Sequence, residues 1–464
     1  MRSDTSTFSS PFSWRYGSSH MRYLFSEEYK FHLWRNIWVA LAKAQKQAGL
    51  VSIKELADLQ KHQDDIDIER ILAIEKDVKH DVVAAIREFA EKAKVGGGKI
   101  HLGATSMDIV DNADILRFAE ALDLIEKGVL ECLSGLGKKI MKYADMPCMG
   151  YTHLQPAEPT TVGYRLAFYA QDLLTDYELL QFVKTHLKAK GFKGAVGTSA
   201  SYSSLLKGTK MTASKMEEIV MDTLGIAPAI ITTQVYSRKV DYFILTLLAS
   251  IASSIAKFAS DLRILQSPHF GEWSEPFGKS QVGSSAMPFK KNPIKSENIC
   301  SLARYVEALP SVALQNASHS YLERTLDDSA NRRIIIPEAF LAVDHLLITA
   351  EKIINNMMIN ETKIAFNLAQ YAPFAATEIM LMETVKNGAN RQEMHEVLRE
   401  TSLQAWTAIQ NGQENPMIKL LAHNPKISKY LKKEQIEKLL DVRKHIGTAP
   451  ERALKIVQII SKLH

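Results

Sequence analysis

The sequence predicts an all-α protein with a central bundle of long helices. The prediction rests on helical periodicity, on its recurrence along the chain, and on the lack of strand-like alternation. In 112–145, apolar residues fall at Ile115, Phe118, Leu122, Ile125, Val129, Cys132, Leu136 and Ile140. Steps of three and four place them on one face of a long amphipathic helix. Similar long patterns cover 160–187, 237–266, 294–316 and 332–357. No comparable series of alternating apolar and polar residues appears, and the β-branched runs are short, so helices packed on helices are expected.

Taken in order, residues 1–110 form a first expected domain of shorter helices. Its glycine run KVGGGK reads as a flexible turn. Lys99 is followed by Ile100, so the GxxxxGK[ST] spacing of a phosphate loop is absent. Residues 111–363 form the expected long-helix domain. In its first helix Gly128, Gly135 and Gly137 weaken the helix locally, while their small size admits close helix approach. The 237–266 pattern carries Ala and Ser on several faces, as expected of a helix surrounded by others. Its apolar run from Tyr242, YFILTLLASIASSIAKFA, stops short of the ~20 residues of a bilayer span, and Asp241, Lys257 and Asp261 flank or interrupt it. A buried helix is expected there. Residues 364–464, after MMINETK, are richer in Lys, Asn and Gln and form the expected C-terminal helical domain.

The composition is that of an ordinary globular chain. With 464 residues, 46% of them hydrophobic, the chain can bury a large core. A net charge of +5, without basic runs or aromatic-basic interleaving, gives little reason to expect nucleic acid. It is compatible with a small anionic substrate. Cys132, Cys148 and Cys300 are far apart and form no CxxC, so neither a disulfide framework nor a structural zinc site is indicated. The N-terminal MRSDTSTFSSPFSWRYGSS has no apolar core of a signal peptide. A reducing, cytoplasmic location is expected.

Polar groups gather in segments where a helical bundle does not need them. SWRYGS holds Arg15 and Tyr16, and KHDVV holds Lys79, His80 and Asp81. HLGATSMDIVDN holds His101, Thr105, Ser106 and Asp108. GYTHLQPAEPTT holds Thr152, His153 and Gln155. TTQVYSRKVD holds Gln234, Ser237 and Arg238. GSSAMPFKKNPIKSEN holds Ser284, Ser285, Lys290, Asn292 and Glu297, and ERTLDDSANRR holds Arg324, Ser329, Arg332 and Arg333. Some of these fit plain structural roles. TSMD and DDSANRR suit helix starts, and a single histidine is commonly a structural hydrogen-bonder.

No HExxH, GxSxG or GxGxxG element is present, nor a close His/Cys grouping. The chemistry is therefore expected from Ser, His, Lys, Asn, Arg and Glu, with no metal and no cofactor. Lys, Arg and Asn suit carboxylates and phosphates. A serine in a Gly-flanked loop can act as nucleophile or, with its pKa lowered by an ammonium and backbone N–H groups, as base. A histidine elsewhere can protonate a leaving group. This set suits proton abstraction beside a carboxylate followed by elimination, with Lys290 and Asn292 available to stabilise the aci-carboxylate.

GSSAMPFKKNP resembles the catalytic loop GSSxMPxKxNP of the fumarase/aspartase superfamily. SWRYGS, KHDVV, HLGATSMD, YTHLQPAEPTT, QVYSRKVD and ERTLDDSANRR extend the resemblance, over essentially the full length, to its adenylosuccinate lyase family. The arginine-rich ERTLDDSANRR argues against the argininosuccinate lyases and the carboxymuconate cycloisomerases, and the intact Ser284, His153, Lys290 and Glu297 argue against a reused non-catalytic scaffold. The resemblance implies an all-α, three-domain chain and a homotetramer whose four sites are each built from three subunits. It implies cleavage of adenylosuccinate to AMP and fumarate, and of the succinylated imidazole-carboxamide ribotide (SAICAR) to AICAR and fumarate. By position, Ser284 is implied as the general base on a lid over the substrate, His153 as the general acid and Glu297 as its charge partner. Lys290 and Asn292, with Thr105, Ser106 and Thr152, are implied to hold the succinyl carboxylates. His80 and Asp81 would line the site, Gln234 would contact the succinyl or base portion, and Arg15, Tyr16, Arg324, Ser329 and Arg333 would grip phosphate and ribose. The chain departs at Lys79, where many relatives have Arg, and at Asn298, where some have an Arg. Lys79 keeps the charge but not the bidentate fork.

Overall fold

The structure, a computed structural model, describes residues 6–278, 283, 286–287, 289–441 and 445–463. Ser284 and Ser285 lie outside the described residues. The chain is overwhelmingly helical, as the periodicity predicts. The long helices span Ser106–Lys142, Val162–His186, Lys239–Gln266 and Asp327–Asn356. The apolar stripe of 112–145 is fully inside: Ile115, Leu122, Ile125, Val129, Cys132 and Ile140 have no exposed surface. At ~25 cal/mol per Å² of apolar surface removed from water, such a stripe outweighs the local cost of its glycines.

Packing divides the chain into two compact units, one of Met1–Gly128, Asp176–Ser253 and Leu302–Ile348, the other of Val129–Thr175, Ser254–Ser301 and Thr349–His464. Each unit is discontinuous in sequence because the long helices contribute to both. Glycines explain close packing in each. A side chain at Gly128 would meet Leu347 Cδ1 at 3.0 Å in the first unit, and one at Gly135 would meet Asn355 Oδ1 at 2.7 Å in the second.

The structure departs from the pattern in places. The 294–316 stretch is two helices, Ile294–Ala308 and Pro310–Ser318, because Pro310 lacks an N–H to continue the first and suits the opening turn of the second. Conversely, Asp327–Asn356 runs through Pro337, which leaves the Arg333 carbonyl without its helical donor. The glycine run forms a short 3₁₀ turn packed tightly against its surroundings. A Cβ on Gly96 would lie 2.5 Å from the Glu55 carbonyl oxygen, and one on Gly97 would lie 2.9 Å from Ala90 Cα. These glycines serve close approach rather than flexibility.

In the second unit β1 (Pro147–Thr152) and β2 (Gln155–Thr161) form an antiparallel hairpin, which the periodicity does not predict. Residues 376–440 supply their own apolar cluster around Met380, Met394, Ala405, Met417, Leu421 and Ile436. Lys239–Gln266 is long and apolar enough to cross a bilayer by composition, yet half of its most apolar window is buried in protein. All three cysteines are free and buried, and burial pushes the Cys148 thiol up to about 11.

Candidate functional site

A cavity of about 710 Å³ lies in the first unit and gathers residues from distant segments. Its first wall is the joint between the helices Ile68–Val78 and Asp81–Lys92. Lys79 closes the first helix in the left-handed conformation (φ 56°), its N–H bonded to the Glu75 carbonyl, and His80 stands as the N-cap of the next. This reversal points Lys79, His80 and Asp81 to the cavity. A non-glycine residue at positive φ is uncommon and collects at functional sites.

The second wall is the start of Ser106–Lys142, where Thr105 and Ser106 line the cavity. The open N–H groups and positive dipole end of this helix suit an anion. Asp108 fixes that corner. Its carboxylate accepts the Thr105 backbone N–H at 3.0 Å, the Gly194 N–H at 3.2 Å and the Tyr202 hydroxyl at 2.9 Å, and it pairs with the fully buried Lys190 ammonium. Asn112 exchanges hydrogen bonds with Gly191, at 2.8 and 3.0 Å. Gly191 sits at φ 78°, and a Cβ there would lie 2.1 Å from Glu217 Oε1, so only glycine fits. His101 stands behind this corner with its Nδ1 accepting from Trp38 Nε1 at 3.1 Å. Burial lowers its pKa to about 4, with Asp108 opposing and His80 reinforcing the shift.

The third wall comes from Gln234 and from Arg324, Ser329 and Arg333. Beneath it runs a buried ionic network. Arg238 grips Asp111 at 3.1 and 3.2 Å and Asp328 at 2.6 Å, Arg324 reaches Asp328 at 3.0 Å, and Arg332 meets Asp241 at 2.6 Å and Asp114 at 3.3 Å. Burial raises the carboxyl of Asp328, but Arg238 and Arg324 outweigh it and hold the group below its ordinary range. Arg238 and Arg332 therefore act as structural ties for the segments that carry Gln234 and Ser329. Arg333 is 74% exposed, with a long 3.7 Å pairing to Asp81.

Thus the first unit brings together Lys79, His80, Asp81, Thr105, Ser106, Gln234, Arg324, Ser329 and Arg333. Arg15 and Tyr16 belong to this unit but do not line the cavity. Arg15 lies over the Trp14 ring and is exposed, and Tyr16 packs against the His345 ring at 4.9 Å.

The other expected residues belong to the second unit. Thr152 pairs with Gln155, so His153 and Leu154 alone form the turn of the hairpin, at φ 54° and 59°. Two consecutive positive φ values define the type I′ turn whose twist matches the strands. His153 is carried at the exposed tip, and Thr152 beside it is exposed too. The hairpin is anchored below. Buried Glu272 accepts from Tyr151 at 3.2 Å, Arg165 at 3.0 Å and Asn367 at 3.0 Å. Glu297 lies in the first turn of Ile294–Ala308, exposed, and the helix start is held by Glu275, which accepts from the backbone N–H groups of Lys295 and Ser296. Neither His153 nor Glu297 enters an ion pair among the described residues. Lys290 is exposed, and the Asn292 amide donates to the Gly283 carbonyl at 3.0 Å, closing these two residues onto each other. A Cβ on Gly283 would lie 1.9 Å from the Lys290 carbonyl oxygen, so that closure needs glycine.

The cavity also holds Lys30, Trp34, Arg117 and Arg332, which the motif reading did not select for the site. Arg117 lies about three turns into a helix read for its apolar face, and no pattern in the sequence marks it. Among the described residues no group of His, Cys, Asp and Glu is placed to hold a metal ion.

Comparison with known proteins places these observations in a family. A family profile described as Lyase matches residues 17–307, and one described as Adenylosuccinate lyase C-terminus matches residues 373–455. The chain is similar to the adenylosuccinate lyase of Saccharomyces cerevisiae, at 38% identity over 98% of this chain and 95% of the relative. It is similar to that of Schistosoma mansoni, at 39% identity over 90% and 88% of the two chains. The adenylosuccinate lyase of Archaeoglobus fulgidus is 32% identical over 98% and 99%. In fold it is similar to the 3-carboxy-cis,cis-muconate lactonizing enzyme of Pseudomonas putida, with a TM-score of 0.85, 24% identity, and coverage of 97% of this chain and 99% of the other.

Proposed function

The chain belongs to the adenylosuccinate lyase family and is a C–N lyase, and on that premise we propose that it releases fumarate from adenylosuccinate, giving AMP, and from SAICAR, giving AICAR. The observation that carries this reading is the cavity itself. It joins a helix N-terminus at Thr105 and Ser106 to the guanidinium of Arg324 and the hydroxyl of Ser329. That combination suits a ligand with anionic ends and hydroxyl groups between them.

In this reading Ser284 removes a proton from the succinyl carbon adjacent to a carboxylate. The electron pair moves into that carboxylate as an aci-carboxylate, which Lys290 and Asn292 stabilise. Its collapse forms the fumarate double bond and breaks the C–N bond. His153 delivers a proton to the leaving nitrogen, with Glu297 supporting the imidazolium. Thr152 joins Thr105 and Ser106 on the carboxylates. His80, Asp81 and Gln234 line the nucleotide, with Lys79 contributing charge. Arg15, Tyr16, Arg324, Ser329 and Arg333 hold phosphate and ribose. No cofactor is needed for these steps.

The site is proposed to be shared between copies in a homotetramer. Supporting this, His153, Lys290 and Glu297 are exposed on the single chain, whereas elimination through an aci-carboxylate gains from a water-excluded setting. Three buried free thiols fit a reducing, cytoplasmic location. The deciding experiment is an ultraviolet assay of the purified protein with adenylosuccinate, argininosuccinate and malate in parallel. Fumarate and AMP from adenylosuccinate alone are expected. No cleavage of adenylosuccinate by the intact oligomer would overturn the reading.

A further inference from the structure

We infer that Arg117 forms a distinct oxyanion subsite in the wall of the cavity, suited to a phosphate or carboxylate group with two adjacent oxygens. Arg117 is 8% exposed and lines the cavity, yet its buried Nε and Nη2 have no hydrogen-bond partner among the described residues. These two nitrogens form the side-on edge of a guanidinium. Arg70 uses the same pair to hold the Glu91 carboxylate, at 2.9 and 2.7 Å. A buried charge left unpaired is costly, and an unpartnered fork of this kind fits one planar pair of oxygens.

The surrounding groups are already engaged. On its own helix, Asp114 is taken by Arg332 at 3.3 Å, and Glu120 accepts the Tyr29 hydroxyl. Lys30, from a neighbouring helix, pairs with Glu27 and lies over the Phe31 and Trp34 rings. Arg332 uses its Nε and Nη2 on Asp241, Asp114 and Tyr236. The Arg117 guanidinium lies 5.6 Å from the centroid of Phe25, whose ring stacks on Phe340. Stacking holds the fork in place without consuming its donors.

The subsite is separate from the cations assigned above to the nucleotide. Arg117 is eleven residues beyond Ser106, roughly 16 Å along the helix at 1.5 Å per residue. Arg324 and Arg333 come from another segment and have carboxylate neighbours in Asp328 and Asp81. The cavity can thus hold one long ligand with a further anionic end, or a second small anion beside the first.

The test is calorimetric titration of the full chain with inorganic phosphate and, separately, with fumarate, at low ionic strength and without turnover. Wild type is compared with Arg117→Met and Arg117→Lys. Methionine keeps the apolar stem, and lysine keeps charge but not the fork. Weakening of phosphate or fumarate binding by on the order of 10- to 100-fold in Arg117→Met, with a smaller loss in Arg117→Lys, is expected. The anion that responds identifies the class. Unchanged affinity for both anions in folded Arg117→Met overturns the subsite and leaves Arg117 a structural residue. Because binding is read without catalysis, a failure here leaves the lyase assay untouched, and a failed lyase assay leaves this result standing.

Discussion

The ammonium of Lys190 is paired with the carboxylate of Asp108, and neither side chain has any exposed surface. The pair sits directly behind the Thr105 backbone, which Asp108 also accepts. Removing one member leaves the other charge buried without its partner. Lys190→Met is therefore expected to destabilise the protein by about 3–5 kcal/mol, whereas Lys190→Met combined with Asp108→Asn should cost less than the sum of the two. Urea denaturation at fixed protein concentration measures this. Additive losses would show that the two groups act independently. Because the pair holds Thr105, Lys190→Met should also raise KM for adenylosuccinate.

The hairpin makes a different prediction. Leu154 adopts φ 59° with no compensating side-chain hydrogen bond among the described residues, and it is 59% exposed. Left-handed backbone costs an ordinary L-residue roughly 1–2 kcal/mol, and asparagine carries it more easily. Leu154→Asn should stabilise the protein by up to about 1 kcal/mol. A lowered thermal midpoint would mean that the exposed leucine is covered by something in the assembled protein.

These two corners differ in how far the sequence reveals them. The stripe from Ile115 to Ile140 declares its helix, because period and burial coincide. The segments KHDVV, TSMD, QVYSR and ERTLDDSANRR announce polar groups that a bundle does not need, and they converge on one cavity. The hairpin is hidden because its turn is His-Leu rather than Asn-Gly, and its strands carry prolines at 147, 156 and 159. The KVGGGK glycines signal freedom in a sequence, but Gly96 and Gly97 fill a tight approach in the fold. Arg238 and Arg332 stand in the sequence among the polar groups that a bundle does not need. Only the fold shows that Asp111, Asp241 and Asp328 pair with them, while Arg117, silent in the sequence, keeps Nε and Nη2 unpartnered among the described residues.

His101 predicts an acid limb in stability. Its pKa is about 4 in the folded protein against 6.5 for the free side chain, a shift caused by burial. Between these values the unfolded chain binds a proton that the native state refuses. Stability from this group is thus complete above pH ~6.5 and is lost as pH falls toward ~4, by up to roughly 3 kcal/mol. Protonating Nδ1 would also remove the acceptor of the Trp38 N–H. His101→Gln should lower stability at neutral pH, and the gap to wild type should close as pH falls from 6.5 to 4.5. Parallel urea midpoints across that range would overturn this account.

Shared sites give the sharpest test of the proposed chemistry. Ser284→Ala removes only the proposed base, so substrate binding should survive while turnover falls by several orders of magnitude. His153→Gln removes the proposed acid at an exposed turn where no folding partner is lost, so its melting temperature should stay near that of wild type. If each site draws Ser284 and His153 from different copies, mixing the two inactive proteins and allowing subunit exchange must regenerate some sites with both residues intact. Measurable fumarate release from the mixture, absent from either variant alone, is the expected outcome. Silence after exchange has been verified by mass would mean that both residues come from one chain, and the shared-site proposal would fall while the assignment of base and acid could stand.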